Sequence, residues 1–384
     1  MGVAESSAAE RLRQYVEQPT VLLLAVACLY LLVDLLTKLA GVRIAPGGVY
    51  LIGGHVPVSN VVGFLIDGLI LGLIIGLAGV GLSMTYSILN FANFAHGDYL
   101  TAGAFSGWAA AYLVAMITLP GLQEQTKLGE IILLNAPSLV SVWTSPFAVI
   151  VGLVVSAIAS VALVLGIDRI VYKPMRDKEG ISLLIASIGV ALALRYSIVF
   201  IWSTSTRGIT STNPASLPSF SFRIVDGTYT LNLHEITMIV AAVLLMLGVH
   251  LLLQRTKLGK AMRAMSDNKA LAQVTGIPTE RVVRATWIIG GGLAGVAGFL
   301  IILERGVLSF NFGWRLLLFI FSGVILGGIG SVYGAIGGGL IIGVASRIAL
   351  VWIPSGFPRV AAFGVMILVL LYRPQGLFGG VTTA

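Results

Sequence analysis

The sequence predicts an all-α protein that crosses a membrane many times, and three observations carry that prediction. Hydrophobic residues make up 57% of the chain and charged residues only 10%, well under half of the ~25% usual in soluble domains. Runs of about 20 apolar residues, each long enough to cross ~30 Å of hydrocarbon, recur along nearly the whole chain. The shorter alternating segments of a transmembrane barrel do not occur.

The spans follow in order. Met1–Thr20 is polar, of mixed charge and without a cleavable signal pattern, so it is expected to stay cytoplasmic. Val21–Ala40 is the first span, with Asp34 and Lys38 one turn apart and able to pair. A Gly/Pro loop runs to Asn60, which makes residues 21–60 a first span with its outer loop, ahead of the main transmembrane body at 61–379. Val61–Leu119 exceeds the needs of two spans by roughly 19 residues. The surplus is placed at Asn90–Gly97 as a broken or re-entrant segment, with the helix broken at Gly97. Pro120–Ser145 reads as a loop and Pro146–Ile170 as a span. A basic turn with Arg169, Lys173, Arg176 and Lys178 leads into Ile181–Trp202. Ser203–His234 reads as a Ser/Thr/Pro-rich loop, followed by a span at Ile236–Leu253. After the span Ala285–Leu303, the stretch Arg315–Trp352 fits two short helices turning at Gly327–Gly339, and Phe357–Tyr372 is the last span.

Between two of these spans lies a polar island, Gln254–Arg284, with seven Lys or Arg against two acids. Leu258, Ala261, Met262 and Met265 fall on one side of a helical projection, and Lys257, Lys260 and Arg263 on another. That pattern suits a helix lying at the membrane surface. Gly276 reads as a stop and Pro278-Thr279 as a new start. An orientation signal alone needs no such internal organisation, so the island is read as a docking surface for a cytoplasmic partner. With the N-terminus inside, the Arg169–Lys178 turn, the island and Arg373 all fall inside, which supports about ten spans with both termini cytoplasmic.

The net charge of +8 is explained by these loops and is not a nucleic-acid signal. Cys28 is alone, so neither an internal disulfide nor a thiol metal cluster is available. No Ser–His–Asp set, paired carboxylates or redox motif is present, and no catalytic residue is assigned. Intramembrane acids are few for a proton or sodium relay. If transport is active, its energy has to come from another subunit.

Two stretches are candidates for function. Asn90, Asn93, His96 and Asp98 are too polar for lipid and must face protein or a water-filled cavity. Two readings stand together there: a helix-end cap joining two spans, or a lining of a translocation path. One His and one Asp make no metal site. The second stretch is the glycine content, with Gly291 and Gly295 in one span and Gly327, Gly328 and Gly338 in the late hairpin, all read as helix-packing positions. GGIGS lacks the Lys-Ser/Thr ending of a phosphate loop.

GLSMTYSILNFANFAHGDYLTAGAF (Gly81–Phe105) resembles the signature of the branched-chain amino-acid ABC permease family, in its LivH-type form. Lys257–Leu300 resembles that family's cytoplasmic coupling loop and following span, and Gly327–Gly343 and Tyr372–Gly379 match its C-terminal pattern. The resemblance implies an ABC importer permease for hydrophobic, branched-chain amino acids in the plasma (inner) membrane. It further implies a LivM-type second permease, two cytoplasmic ATPase subunits holding ATP and Mg, and an extracytoplasmic solute-binding protein. Arg263, Ala264, Asp267, Ala270 and Gly276 would then fall in the coupling helix that an ATPase grips. The chain itself would hold no cofactor. The rival from another class is a stand-alone channel or facilitator for a small polar solute such as urea or an amide.

Overall fold

The computed structural model describes residues 19–44, 52–118, 140–209 and 218–378. The expected loop Pro120–Ser145 lies outside the described residues up to position 139, as does almost all of Met1–Thr20. The described residues fall into two compact units. The first takes in the chain up to Gly63 together with Phe222–Tyr229, and the second holds the rest.

In the first unit, α1 (Pro19–Leu39) carries the expected Asp34–Lys38 pair at 2.7 Å. Asp34 also accepts from the amide of Gly53 at 2.7 Å, which fastens the short ribbon β1–β2 (Arg43–Ile44, Ile52–Gly53) to the helix. Leu29, Leu32 and Leu36 are exposed, as a face turned to lipid requires. The carboxylate of Asp226 accepts from the amides of Val58 and Ser59 at 2.5 and 2.8 Å, and so caps the helix that begins there.

That helix, α2 (Val58–Leu89), has 32 residues and at 1.5 Å each is roughly 48 Å long, well beyond a ~30 Å hydrocarbon core. Part of the surplus length therefore sits in an overlong helix and not at the break. The break itself is the link Asn90–Ala95, and α3 (His96–Thr118) resumes one residue before Gly97. Gly97 is thus helical and does not break the chain. Its absent side chain is needed because a Cβ there would lie 2.7 Å from the carbonyl oxygen of Gly313.

α4 (Pro146–Ile167) continues through a π turn at Asp168–Tyr172 and a 3-10 turn at Lys173–Met175. α5 is Gly180–Trp202. The region expected as the plain loop Ser203–His234 instead holds three strands. β3 (Arg207–Gly208) pairs with β6 (Val307–Leu308), and β4 (Ser219–Ile224) with β5 (Gly227–Asn232). α6 (Leu233–Arg255) starts earlier than expected because Asn232 and Glu235 form a capping box.

The island resolves into two helices, α7 (Lys257–Asp267) and α8 (Lys269–Val274). Its last residues, Thr279–Arg284, are already the first turns of α9 (Thr279–Arg305). α10 (Phe312–Gly327) and α11 (Val332–Ile348) form the late hairpin, and α12 (Pro358–Tyr372) closes the bundle. The hairpin turn is only Gly328–Ser331, so Gly334, Gly337, Gly338 and Gly339 lie inside α11 and not in the turn. Among the described residues seven helices are long and apolar enough to cross a membrane, and α10 and α12 are shorter apolar helices.

Two seams of small residues hold the second unit together. In one, α9 packs between α3 and α4 and is continuously buried from Leu293 to Leu303. A Cβ at Gly295 would overlap the Ser156 carbonyl, and one at Gly298 the Leu100 carbonyl; one at Gly291 would press on Val164 Cγ2 at 3.1 Å. In the other, Gly68, Gly72 and Gly76 of α2 face Gly343, Leu340 and Ile336 of α11 at backbone distance. Gly327 packs on Gly334, and Gly338 on the Gly323 carbonyl, which clamps α10 to α11. In lipid, apolar burial gives helices no reason to associate, and this close backbone approach supplies the dispersion contact instead. Gly328 differs from the other four packing candidates: its φ of +105° makes it the turn residue that ends α10.

Candidate functional site

The link Asn90–Ala95 is where helical hydrogen bonding stops inside the bundle. Asn90 ends α2 with φ at +55°, the left-handed conformation that Asn tolerates, and its side chain is exposed. His96 is 1% exposed and donates from Nε2 to the carbonyl oxygen of Ala78 at 3.0 Å. Ala78 lies eleven residues before the end of α2, so the link climbs back roughly 16 Å along that helix before α3 begins. The segment re-enters the bundle.

Backbone at such depth has to be satisfied by protein. The amide of Ala95 donates to Asn93 Oδ1 at 3.1 Å, and the amide of Phe94 donates to Ser187 Oγ of α5 at 3.0 Å. Tyr172, brought in by the π turn, donates its hydroxyl to Asn93 Oδ1 at 3.4 Å and shares a 3.1 Å bond with the Tyr99 hydroxyl. Tyr172 also stacks on Trp287 with ring centroids 5.3 Å apart. Asp98, wholly buried, is held by both arms of the Arg195 guanidinium at 3.2 and 2.9 Å, and Arg195 lies over the Trp314 ring at 4.7 Å. Such a two-pronged geometry is the strong form of the ion pair. Neither Arg195 nor Ser187 was singled out in the sequence. Ser187 is one of three serines in an apolar span, a weak signal for a hydrogen bond across helices, whereas Arg195 is the one charged residue of that span.

Asn93, His96 and Asp98 are thus engaged with the scaffold, while Ala92 and Phe94 face elsewhere. Ala92 and Phe94 line a cavity of about 340 Å³, with Leu82 and Tyr86 of α2, Leu184 of α5, Phe321 of α10 and Met366 of α12. Phe94 and Phe321 meet there with ring centroids 4.9 Å apart. The lining is almost wholly apolar.

At the island, α7 buries Met262 and Met265 and is capped by Thr256, which accepts from the Gly259 amide. Arg263 donates to Gln254 Oε1 at 3.2 Å, Ala264 is half-buried, and Asp267, Ala270 and Gly276 are exposed. Leu271 and Val274, beside them on α8, are 60% and 85% exposed. That apolar edge was overlooked in the sequence, where α8 is too short to show a period. The island is joined to the re-entrant region by a hydroxyl relay: Ser266 Oγ donates to Ser87 Oγ at 3.3 Å, and Ser87 Oγ donates to the Gly330 carbonyl in the hairpin turn at 3.1 Å. A second tie runs through Arg176, which pairs with Asp168 and with Glu280 at the start of α9, both at 2.6 Å. Among the described residues no group of three His, Cys, Asp or Glu could hold a metal.

The family described as branched-chain amino acid transport system / permease component matches residues 64–372. The chain is 29% identical over 315 residues to the high-affinity branched-chain amino acid transport system permease protein BraD of Pseudomonas aeruginosa, covering 82% of this chain and 94% of that one. It is 27% identical over 321 residues to the corresponding LivH protein of Escherichia coli, with the same coverage. A shorter similarity, 27% over 142 residues, links it to LivM of Escherichia coli and covers 36% of this chain and 33% of that one. No solved structure matches the chain.

Proposed function

Since this chain belongs to the branched-chain amino acid transport permease family, and is a multi-pass membrane permease component, we propose that it forms half of the translocation pathway of an ATP-driven importer for hydrophobic amino acids. The observation that carries this reading is the apolar cavity at the re-entrant link, joined through Ser87 to an amphipathic surface helix. A cavity of about 340 Å³ is at the small end of ligand sites. It suits an aliphatic side chain better than urea or an amide, which would need polar partners that this lining does not offer.

In this reading the other half of the pathway is a LivM-type permease, and the shared stretch with LivM supports a common architecture for the two halves. Two ATPase subunits, holding ATP and Mg, would grip the island at Arg263, Ala264, Asp267, Ala270 and Gly276, with Leu271 and Val274 as apolar anchors. An extracytoplasmic binding protein would deliver the solute. The membrane is the plasma (inner) membrane, with both termini cytoplasmic. When the ATPases close, α7 moves. The Ser266–Ser87–Gly330 relay passes that displacement to the end of α2 and to the hairpin turn, which flank the cavity. Asn93, His96 and Asp98 keep the link folded while Ala92 and Phe94 face the solute.

The test is ATP-dependent uptake of labelled leucine by proteoliposomes containing the chain and its co-purifying partners. Uptake that needs ATP and ceases when the island is substituted is expected. Leucine flux through the chain alone, without ATP, would sink the importer reading.

A further inference from the structure

The end of the bundle opposite the island is unusually cationic. α9 runs from the island to Arg305, α10 begins beside Arg315, α11 ends at Arg347 and α12 begins beside Arg359. These four arginines line two adjoining clefts. One, of about 200 Å³, is lined by Arg305, Arg315 and Arg359; the other, of about 290 Å³, by Arg305, Arg347 and Arg359, and both are flanked by Phe319. Among the described residues no carboxylate lines either cleft. Asp67 and Glu304 lie in a separate narrow gap beside Arg305 and Arg347, and Glu235 is engaged in the α6 capping box.

The arginines are only partly neutralised, with the single carboxylate of Glu304 feeling the charge of both Arg305 and Arg347. Arg305 approaches Glu304 only at 3.9 Å. Among the described residues Arg315, Arg347 and Arg359 have no ion pair, and Arg347 Nε is buried without a hydrogen-bond partner. Holding like charges together and leaving a buried guanidinium nitrogen unbonded both cost free energy. Positive charge at the end away from the basic island also runs against the usual distribution in membrane proteins. A planar fork of N–H donors is matched by a carboxylate.

We propose that these clefts form an entry site for a solute carboxylate, with the rest of a small solute packed on Phe319 and Leu71. The site deepens the importer reading and rests on it: it names the group by which the solute is held before it reaches the apolar cavity. The ligand is a free small carboxylate, not the acidic surface of a partner protein. The clefts are of small-molecule size, and Arg347 is recessed where a side chain of a docking protein has little access.

The experiment is arginine modification by phenylglyoxal in the purified chain, read at Arg347 and Arg359 by mass spectrometry, with leucine or leucinamide as protectant. Leucine is expected to slow modification by about threefold or more as the site fills, and leucinamide, which lacks the carboxylate, to leave it unchanged. Equal protection by both, or protection by neither, overturns the proposal. Protection by the solute-free binding protein with none by leucine overturns it too, in favour of a partner's acidic surface. Arg359→Gln, at an exposed position, is expected to fold; in it leucine protection of Arg347 should weaken. Failure of ATP-driven uptake in the assembled complex is a separate result: it removes the importer reading while the protection experiment still decides the carboxylate site.

Discussion

Asp98 and Arg195, 97 residues apart in the chain, meet through two hydrogen bonds of 3.2 and 2.9 Å at the start of α3. The carboxylate is completely buried and the guanidinium nearly so. Removing one partner strands the other charge in a poor dielectric, so Arg195→Met should cost about 3–5 kcal/mol. Thermal unfolding in detergent should show the loss, and adding Asp98→Asn should recover part of it. An Arg195→Met protein as stable as the parent would deny the pair its structural role.

The glycine seam makes a sharper demand at one position than at its neighbour. A Cβ at Gly295 would overlap the Ser156 carbonyl, whereas one at Gly292 meets only Val161 Cγ2 at an ordinary 3.5 Å. Gly295→Ala should therefore destabilise by about 1–3 kcal/mol, and Gly292→Ala should be close to neutral. Fluorescence-detected size exclusion after heating would rank the two.

Ser87 bridges the island helix and the hairpin turn. Ser87→Ala removes hydrogen bonds worth about 0.5–1.5 kcal/mol each, a modest loss of stability. The expected effect on transport is larger: several-fold slower uptake with ATPase subunits still bound. Co-purification and uptake assays on the same membranes test it, and joint loss of subunit binding would point to a local folding defect instead.

The cavity should respond to polarity. Leu184→Asn places an amide among Phe94, Phe321 and Met366 and removes apolar surface for a solute side chain to bury. At ~25 cal/mol per Å² this should lower leucine uptake by about tenfold while sparing expression. Unchanged uptake would move the path elsewhere.

Asp226 gives a pH dependence of defined sign. The Ser59 backbone amide, followed by that of Val58, holds its carboxyl below the usual carboxylate range. Its stabilisation of the α2 start is therefore fully present above the ordinary Asp range and is lost as pH falls through the lowered value. Proteolysis near Val58 should rise in strongly acidic buffer, and Asp226→Asn should be sensitive already at neutral pH.

Much of this arrangement was legible in the sequence. The existence of a break followed from counting residues against bilayer thickness, its place from the polar residues Asn90, Asn93, His96 and Asp98, and the island from caps and periodicity, because all are local properties. The roles of Arg195 and Ser187 were not, since their partners lie 97 and 93 positions away, although a charge and a hydroxyl within an apolar span do mark groups that need a partner. The strand pair β3–β6 is likewise fixed only by tertiary approach. The β4–β5 hairpin did leave a local mark: Ser219–Phe222 and Thr228–Thr230 alternate in polarity around Asp226-Gly227. Gly97 misled because a lone glycine at a helix start reads as a breaker, when its function is to let Gly313 approach.

The Phe94 amide obtains its partner from Ser187, on a helix synthesised later. When α2 and α3 first emerge from the ribosome, the link between them carries polar backbone that no lipid can satisfy. It has to remain beside water, in the insertion machinery or at the bilayer surface, until α5 has been made. Biogenesis is thereby given an order: the fold-back at Asn90–Ala95 is a late event, and a nascent chain that stalls before Gly180 holds its first two family helices with the link between them unsatisfied.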